Sequence, residues 1–206
     1  MRLAERTIEL NFCAQLSRLA GRELIWFGLT QRQEAHAGFD AATRLGRHLY
    51  LFQLKASNHV LRDGSRRFRA KHGQLRHLQQ RAPGPRRSVF YVFPMVGTTL
   101  ELSKAPDLIN HTWLLDVRAL PNPFPSPTVR GGYRNRKSRL HYVDVRPPTA
   151  VIHSEVVEVS LLHPERLASE LATGEEMDVE MPGLDLDTFD GIRRAMSRRA
   201  VGVFLA

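Results

Sequence analysis

Between residues 38 and 55 the chain reads GFDAATRLGRHLYLFQLK, two apolar runs separated by Gly46-Arg47. A two-residue Gly-X connection between such runs is the signature of a type II′ hairpin, and so short a loop dictates which residues face each other. Leu45 falls opposite His48, and counting outward puts Asp40 opposite Gln53. Directly opposed side chains share a face, with Cβ atoms about 4.5–5.5 Å apart. Strand alternation keeps Lys55 on the face of Gln53. One turn thus collects an acid, an amide and an amine. A slip of one residue would send Gln53 and Lys55 to the other face, so this expectation stands on the turn.

The flanking segments supply a frame for the hairpin. Leu3, Ile8, Phe12, Leu16 and Leu19 recur at helical spacing over residues 3–20, and Gly21 offers a stop. ELIWFGLT (23–30) reads as a buried strand and the basic stretch 59–70 as loop. KHGQLRHLQQRA (71–82) reads as a short helix ended by Pro-Gly-Pro, and SVFYVFPMV (88–96) as another strand. Residues 3–96 therefore run helix, three strands, helix, strand. Beyond them TWLLDV (112–117), LHYVDV (140–145) and VIHSEVVEV (151–159) read as strands, and proline-dense PNPFPSP (121–127) as extended loop. Helices are expected at 163–173 and 187–199, and the terminal VGVFLA reads as either a final strand or a contact surface. The fold class expected is α/β or α+β. A core spans 1–97, and an extension, 98–206, of strands and two C-terminal helices packs on it without an assigned role.

Charge narrows the partner. The formal net charge is +9, and it is unevenly placed. Arg62, Arg66, Arg67, Arg69, Lys71 and Arg76 crowd a stretch whose one acid is Asp63, and RGGYRNRKSR adds Arg130, Arg134, Arg136 and Lys137. Such clusters are the electrostatic footprint of a polyanion binder. No apolar run approaches the ~20 residues that span a bilayer, so no membrane partner is expected. The N-terminus has no signal-peptide core, and the single cysteine, Cys13, excludes an internal disulfide; both fit a reducing cytoplasm. The histidines form no H-x-x-H or H-E-x-x-H spacing, and G-x-S-x-G and P-loop signatures are absent.

The hairpin cluster has a chemical logic of its own. Mg²⁺ takes hard oxygen ligands, one or two of them carboxylates, and keeps several waters. Asp40 offers a carboxylate, Gln53 a side-chain carbonyl, and Leu54 a backbone carbonyl. On the first helix Glu5 and Glu9 lie about 40° apart around the axis and bracket the apolar stripe, where a carboxylate wants a partner. Either one would hold a water or a second ion. Lys55 would position an attacking water or stabilise charge on a phosphate.

A helix bearing Glu (IELNFCAQLSRLAG), a strand with G-x-D (AGFDAA) and a strand ending Q-x-K (YLFQLKAS) resemble the PD-(D/E)xK nuclease superfamily. The Q-x-K variant is most similar to its Mrr-type restriction endonuclease branch. The resemblance covers about residues 5–96 and implies a restriction-endonuclease-like core. It implies Mg²⁺, or Mn²⁺, at Asp40 and Gln53, catalysis by Lys55, and Glu9 or else Glu5 as the helix acid. It further implies a metal-dependent endonuclease hydrolysing phosphodiester bonds in DNA rather than RNA, serving restriction or phage defence. Such a protein would act as a homodimer or as a subunit of a larger defence complex. Where the family more usually has an acid, this chain has Gln53, which lowers the site charge by one. Two readings from other classes stand beside it: a non-catalytic nucleic-acid-binding subunit of the same fold, and a protein-interaction subunit using the acidic stretch 155–190.

Overall fold

The computed structural model describes residues 1–29, 34, 37–45, 48–82, 87–121, 140–153, 157–173 and 203–204. The basic cluster 130–139, with Arg130, Arg134, Arg136 and Lys137, and the helix expected at 187–199 lie outside the described residues, as does the Gly46-Arg47 turn. Within them the class is mixed α and β, with four α-helices and two sheets. No helix among the described residues is long and apolar enough to cross a membrane.

The larger sheet has six strands in the order β10-β1-β2-β3-β5-β6. These are β1 (Trp26–Gly28), β2 (Ala41–Leu45), β3 (His48–Leu54), β5 (Arg87–Pro94), β6 (Thr112–Asp116) and β10 (Val203–Phe204). The hairpin register is the expected one: Leu45 pairs with His48 and Ala41 with Phe52. Alternation then sorts β3 into two faces. Tyr50, Phe52 and Leu54 join Ile8, Phe12 and Leu16 of helix α1 (Glu5–Ala20) and Leu167 and Leu171 of helix α4 (Pro164–Thr173). Leu49 and Leu51 face the other way, onto Leu75 and Leu78 of helix α2 (His72–Arg81) and onto the second sheet. Gln53 continues that second face into the interior, where it is 2% exposed. Helix α1 stops as its sequence says it should: Gly21 adopts φ 62°, a left-handed conformation that glycine reaches without a Cβ penalty.

The second sheet, β4-β7-β8-β9, corrects one expectation. Residues 59–70 were expected as loop, yet β4 (Arg66–Lys71) is a strand pairing antiparallel with β7 (Leu140–Arg146). Its period is two: Arg66, Phe68 and Ala70 turn inward while Arg69 and Lys71 stay exposed. The outward charges hide a strand pattern that has only two apolar residues to announce it. VIHSEVVEV likewise divides, into β8 (Thr149–Ile152) and β9 (Val157–Ser160), which pair antiparallel. Within the terminal VGVFLA, Val203 and Phe204 form strand β10, with Phe204 opposite Trp26. Residues 98–206 share both sheets with residues 1–97, since β6 extends the larger and β4 begins the smaller.

A tight crossing fixes β4 to the rest. Arg66, 4% exposed, donates to the Ser57 carbonyl at 2.6 Å and to Glu101 at 3.1 Å. Glu101 in turn closes a capping box with Thr98 at the start of helix α3 (Thr99–Lys104) and accepts the Gly97 N–H at 2.6 Å. Thr98-x-x-Glu101 is legible as a helix start in the sequence. A Cβ on Gly97 would lie 2.1 Å from the Ser57 carbonyl oxygen and 2.3 Å from an Arg66 nitrogen. Gly97→Ala is therefore expected to cost at least the ~1–3 kcal/mol typical of overpacking, read as a lower urea midpoint. Gly73→Ala, whose Cβ meets nothing within 4 Å, should leave the midpoint unchanged or raise it. Equal midpoints in the two variants would contradict this crossing.

Candidate active site

Where β2 gives out, the side chain of Asp40 takes over the strand's hydrogen bonding. Its backbone N–H donates to the Phe52 carbonyl at 2.9 Å, and its Oδ2 accepts the Leu54 N–H at 2.7 Å. The same Oδ2 accepts from Gln53 Nε2 at 2.6 Å. Gln53 Nε2 also donates to the Leu54 carbonyl at 3.1 Å. Acid, amide and backbone carbonyl thus meet in one cluster, in the register the hairpin dictates.

Lys55 follows on the same face. Its Nζ donates to Gln74 Oε1 of α2 at 2.7 Å, and Gln74 Nε2 donates to Gln53 Oε1 at 2.6 Å. The ammonium lies 5.7 Å from the ring centroid of Tyr91, which stands beside Gln53 in the parallel β3–β5 pair. Among the described residues the buried Tyr91 hydroxyl has no hydrogen-bond partner. Sequence reasoning names neither Gln74 nor Tyr91. Gln74 shares its helix with Leu75 and Leu78, but the contact depends on how α2 docks; Tyr91 depends on which strand pairs with β3.

The helix acids separate. Glu5 lies on the cavity wall and accepts the Ala56 N–H at 3.2 Å. Glu9 is buried away from the cavity and bonded to Arg6 at 2.6 Å. Burial raises the Glu9 carboxyl above its usual range, with Arg6 opposing. Of the two acids, Glu5 stands with Asp40, Gln53 and Lys55.

These four groups line one open cavity of about 790 Å³. Strand β4 also lines it, contributing Arg67, Arg69 and Lys71. Arg67 is held by Asp144 through two hydrogen bonds, at 2.7 and 2.8 Å, and Asp144 also pairs with His153. Arg69 and Lys71 project exposed, Arg69 with its guanidinium 6.0 Å from the Tyr142 ring centroid. Arg62 and Arg76 are exposed but off the cavity, and inward-facing Arg66 leaves the set of candidate phosphate contacts.

The arrangement suits a hard cation at its acidic end. Asp40 Oδ2 and the Leu54 carbonyl converge on one point, filled by the Gln53 N–H donor. Turning that amide over would offer Oε1 to the same point, giving three oxygens from three groups, the ligand type that Mg²⁺ accepts. Among the described residues no group of three or more His, Cys, Asp or Glu gathers as a metal site.

Searches against protein-family models, curated proteins and solved structures return no match for this chain.

Burial pushes the Asp40 carboxyl up to about 7, against the Leu54 N–H and the charge of Lys55, which favour the ionised form. Burial also pulls the Lys55 ammonium down, with Glu5 and Asp40 opposing. A carboxyl whose folded-state value is raised adds stability below its unfolded value, about 4, and loses it as pH climbs through 7. Asp40→Asn is neutral throughout. It should melt several degrees above the parent at pH 8 and no higher than the parent at pH 4; a difference independent of pH would contradict the burial of this charge.

Proposed function

We propose that this protein is a metal-dependent phosphodiesterase, an endonuclease acting on DNA. The observation that carries the reading is the shared cavity. Asp40, Gln53 and Lys55 line it together with the exposed Arg69 and Lys71, so a metal-binding carboxylate and unneutralised cations share one opening. The sequence resemblance to PD-(D/E)xK nucleases points the same way on the same residues.

Asp40, the Leu54 carbonyl and a reoriented Gln53 would hold Mg²⁺ or Mn²⁺. When bound, the cation would supply Lewis-acid stabilisation of phosphate charge and activation of a water. The chain's own groups do the rest. Lys55 donates to an oxygen of the scissile phosphate or holds the attacking water in line. Glu5, at the rim, accepts a hydrogen bond from that water. Arg69 and Lys71 hold flanking phosphates and fix the strand's register without reading its sequence. Water oxygen bonds to phosphorus as one ester P–O bond breaks, and the products are a phosphate monoester and a free hydroxyl.

A serving role in restriction or phage defence, and work as a homodimer or within a larger complex, belong to the same proposal and rest on the resemblance. The second reading, a binding subunit without hydrolysis, draws on the site's low charge, since Gln53 stands where an acid would add a ligand.

Nicking of supercoiled plasmid separates the two. Cleavage with Mg²⁺ or Mn²⁺ should vanish in EDTA and fall about 100-fold or more in Asp40→Ala and Lys55→Ala. DNA binding should be retained in Lys55→Ala, and Arg69→Ala and Lys71→Ala should each lower the salt dependence of binding by about one ion. Salt-dependent binding without cleavage under any divalent ion would favour the binding subunit. No binding at low salt would remove both readings in favour of a protein partner.

A further inference from the structure

The hydrogen bonds around Gln74 form a chain with a direction. Lys55 Nζ donates to Gln74 Oε1, Gln74 Nε2 to Gln53 Oε1, and Gln53 Nε2 to Asp40 Oδ2 and the Leu54 carbonyl. An ammonium only donates and a carboxylate only accepts, whereas each amide has one donating and one accepting end. The two ends of the chain therefore set every amide between them. Lys55 demands the oxygen of Gln74, which leaves Gln74 an N–H for Gln53. Gln53 must meet that N–H with its oxygen, which leaves its own N–H for Asp40.

A cation at Asp40 and Leu54 demands the reverse. It draws the Gln53 oxygen to the point where the Gln53 nitrogen stands, and Gln53 then turns its NH₂ toward Gln74. Two amide donors cannot face each other, so Gln74 turns its oxygen to Gln53. Its NH₂ now faces the Lys55 ammonium, again donor against donor. Lys55 loses its acceptor and is released into the cavity that it lines. Both amide oxygens remain bonded in both arrangements, and the donors left over are the Gln74 NH₂ and the ammonium, which a phosphate oxygen would take.

We propose that Gln74 is a positioning residue that couples cation binding at Asp40 and Gln53 to release of Lys55. In the cation-free protein Lys55 is held away from substrate, and occupation of the acidic end frees it. The inference rests on the cation reading of the site given above and deepens it: loading order becomes cation first, phosphate second.

The coupling has a readout that needs neither substrate nor turnover. Lys55 is acylated with an amine-reactive ester in the full chain, and the Lys55 peptide is quantified by mass spectrometry, with and without Mg²⁺. In the parent, Mg²⁺ should raise the labelling rate by about 5-fold or more, the lower bound of ordinary coupling between two sites. Gln74→Met has no amide, so Lys55 should label fast without Mg²⁺, and whatever response survives is the direct effect of the added charge. Gln74→Glu accepts from both neighbours. It should bind Mg²⁺ more tightly by calorimetry while Lys55 labels slowly in either condition. A merely structural role for Gln74 would move both readouts together.

An equal Mg²⁺ response in the parent and in folded Gln74→Met would overturn the coupling and leave the cation site standing. No Mg²⁺ binding to the parent in calorimetry would overturn the cation reading and the coupling with it.

Discussion

The Leu54 N–H bonded to the Asp40 carboxylate at 2.7 Å is the contact from which the rest of the site is built. It substitutes a side chain for a strand at the edge where β2 ends, and so carries a charge into a part of the sheet that is otherwise apolar. A buried carboxylate is tolerated when donors surround it. Gln53 supplies a second donor, and the need to satisfy Gln53 brings in Gln74 and then Lys55. Polar groups that would each be costly alone become a connected network under the covering helix α2.

Charge elsewhere is sorted by the same rule. The run Arg66–Lys71 looks uniform in sequence, yet the fold gives its members three fates. Arg66 is buried and tied to Ser57 and Glu101, so it holds β4 against α3. Arg67 is half-buried and neutralised by Asp144 across the β4–β7 pair. Arg69 and Lys71 remain exposed on the cavity wall. Only groups of the last kind offer an unneutralised charge to a polyanion, which is why a count of arginines overstates the binding surface.

The local part of this structure was legible because local rules set it. Gly46-Arg47 between two apolar runs fixes the register, and the register places Asp40, Gln53 and Lys55 together without any other part of the chain. Helix α1 follows from its apolar spacing and Gly21. The remainder depends on pairings between distant segments. Nothing in RRFRAK tells which strand it will join, and its inward face carries Arg66 where an apolar residue would have signalled a strand. The choice between Glu5 and Glu9 turns on how α1 crosses the sheet, since both flank the same stripe. Gln74 and Tyr91 reach the site only through the parallel β3–β5 crossover, whose register spans more than thirty residues of intervening chain.

How the site works depends on whether Asp40 and Leu54 take a divalent cation through a reversed Gln53 amide. Diffraction from crystals soaked in Mn²⁺, recorded for its anomalous signal, addresses that directly. A peak bound by the Asp40 carboxylate and the Leu54 carbonyl is expected, with Gln53 turned so that its oxygen is the third ligand. At saturating Mn²⁺, no peak at that point and a Gln53 nitrogen still donating to Asp40 would contradict it.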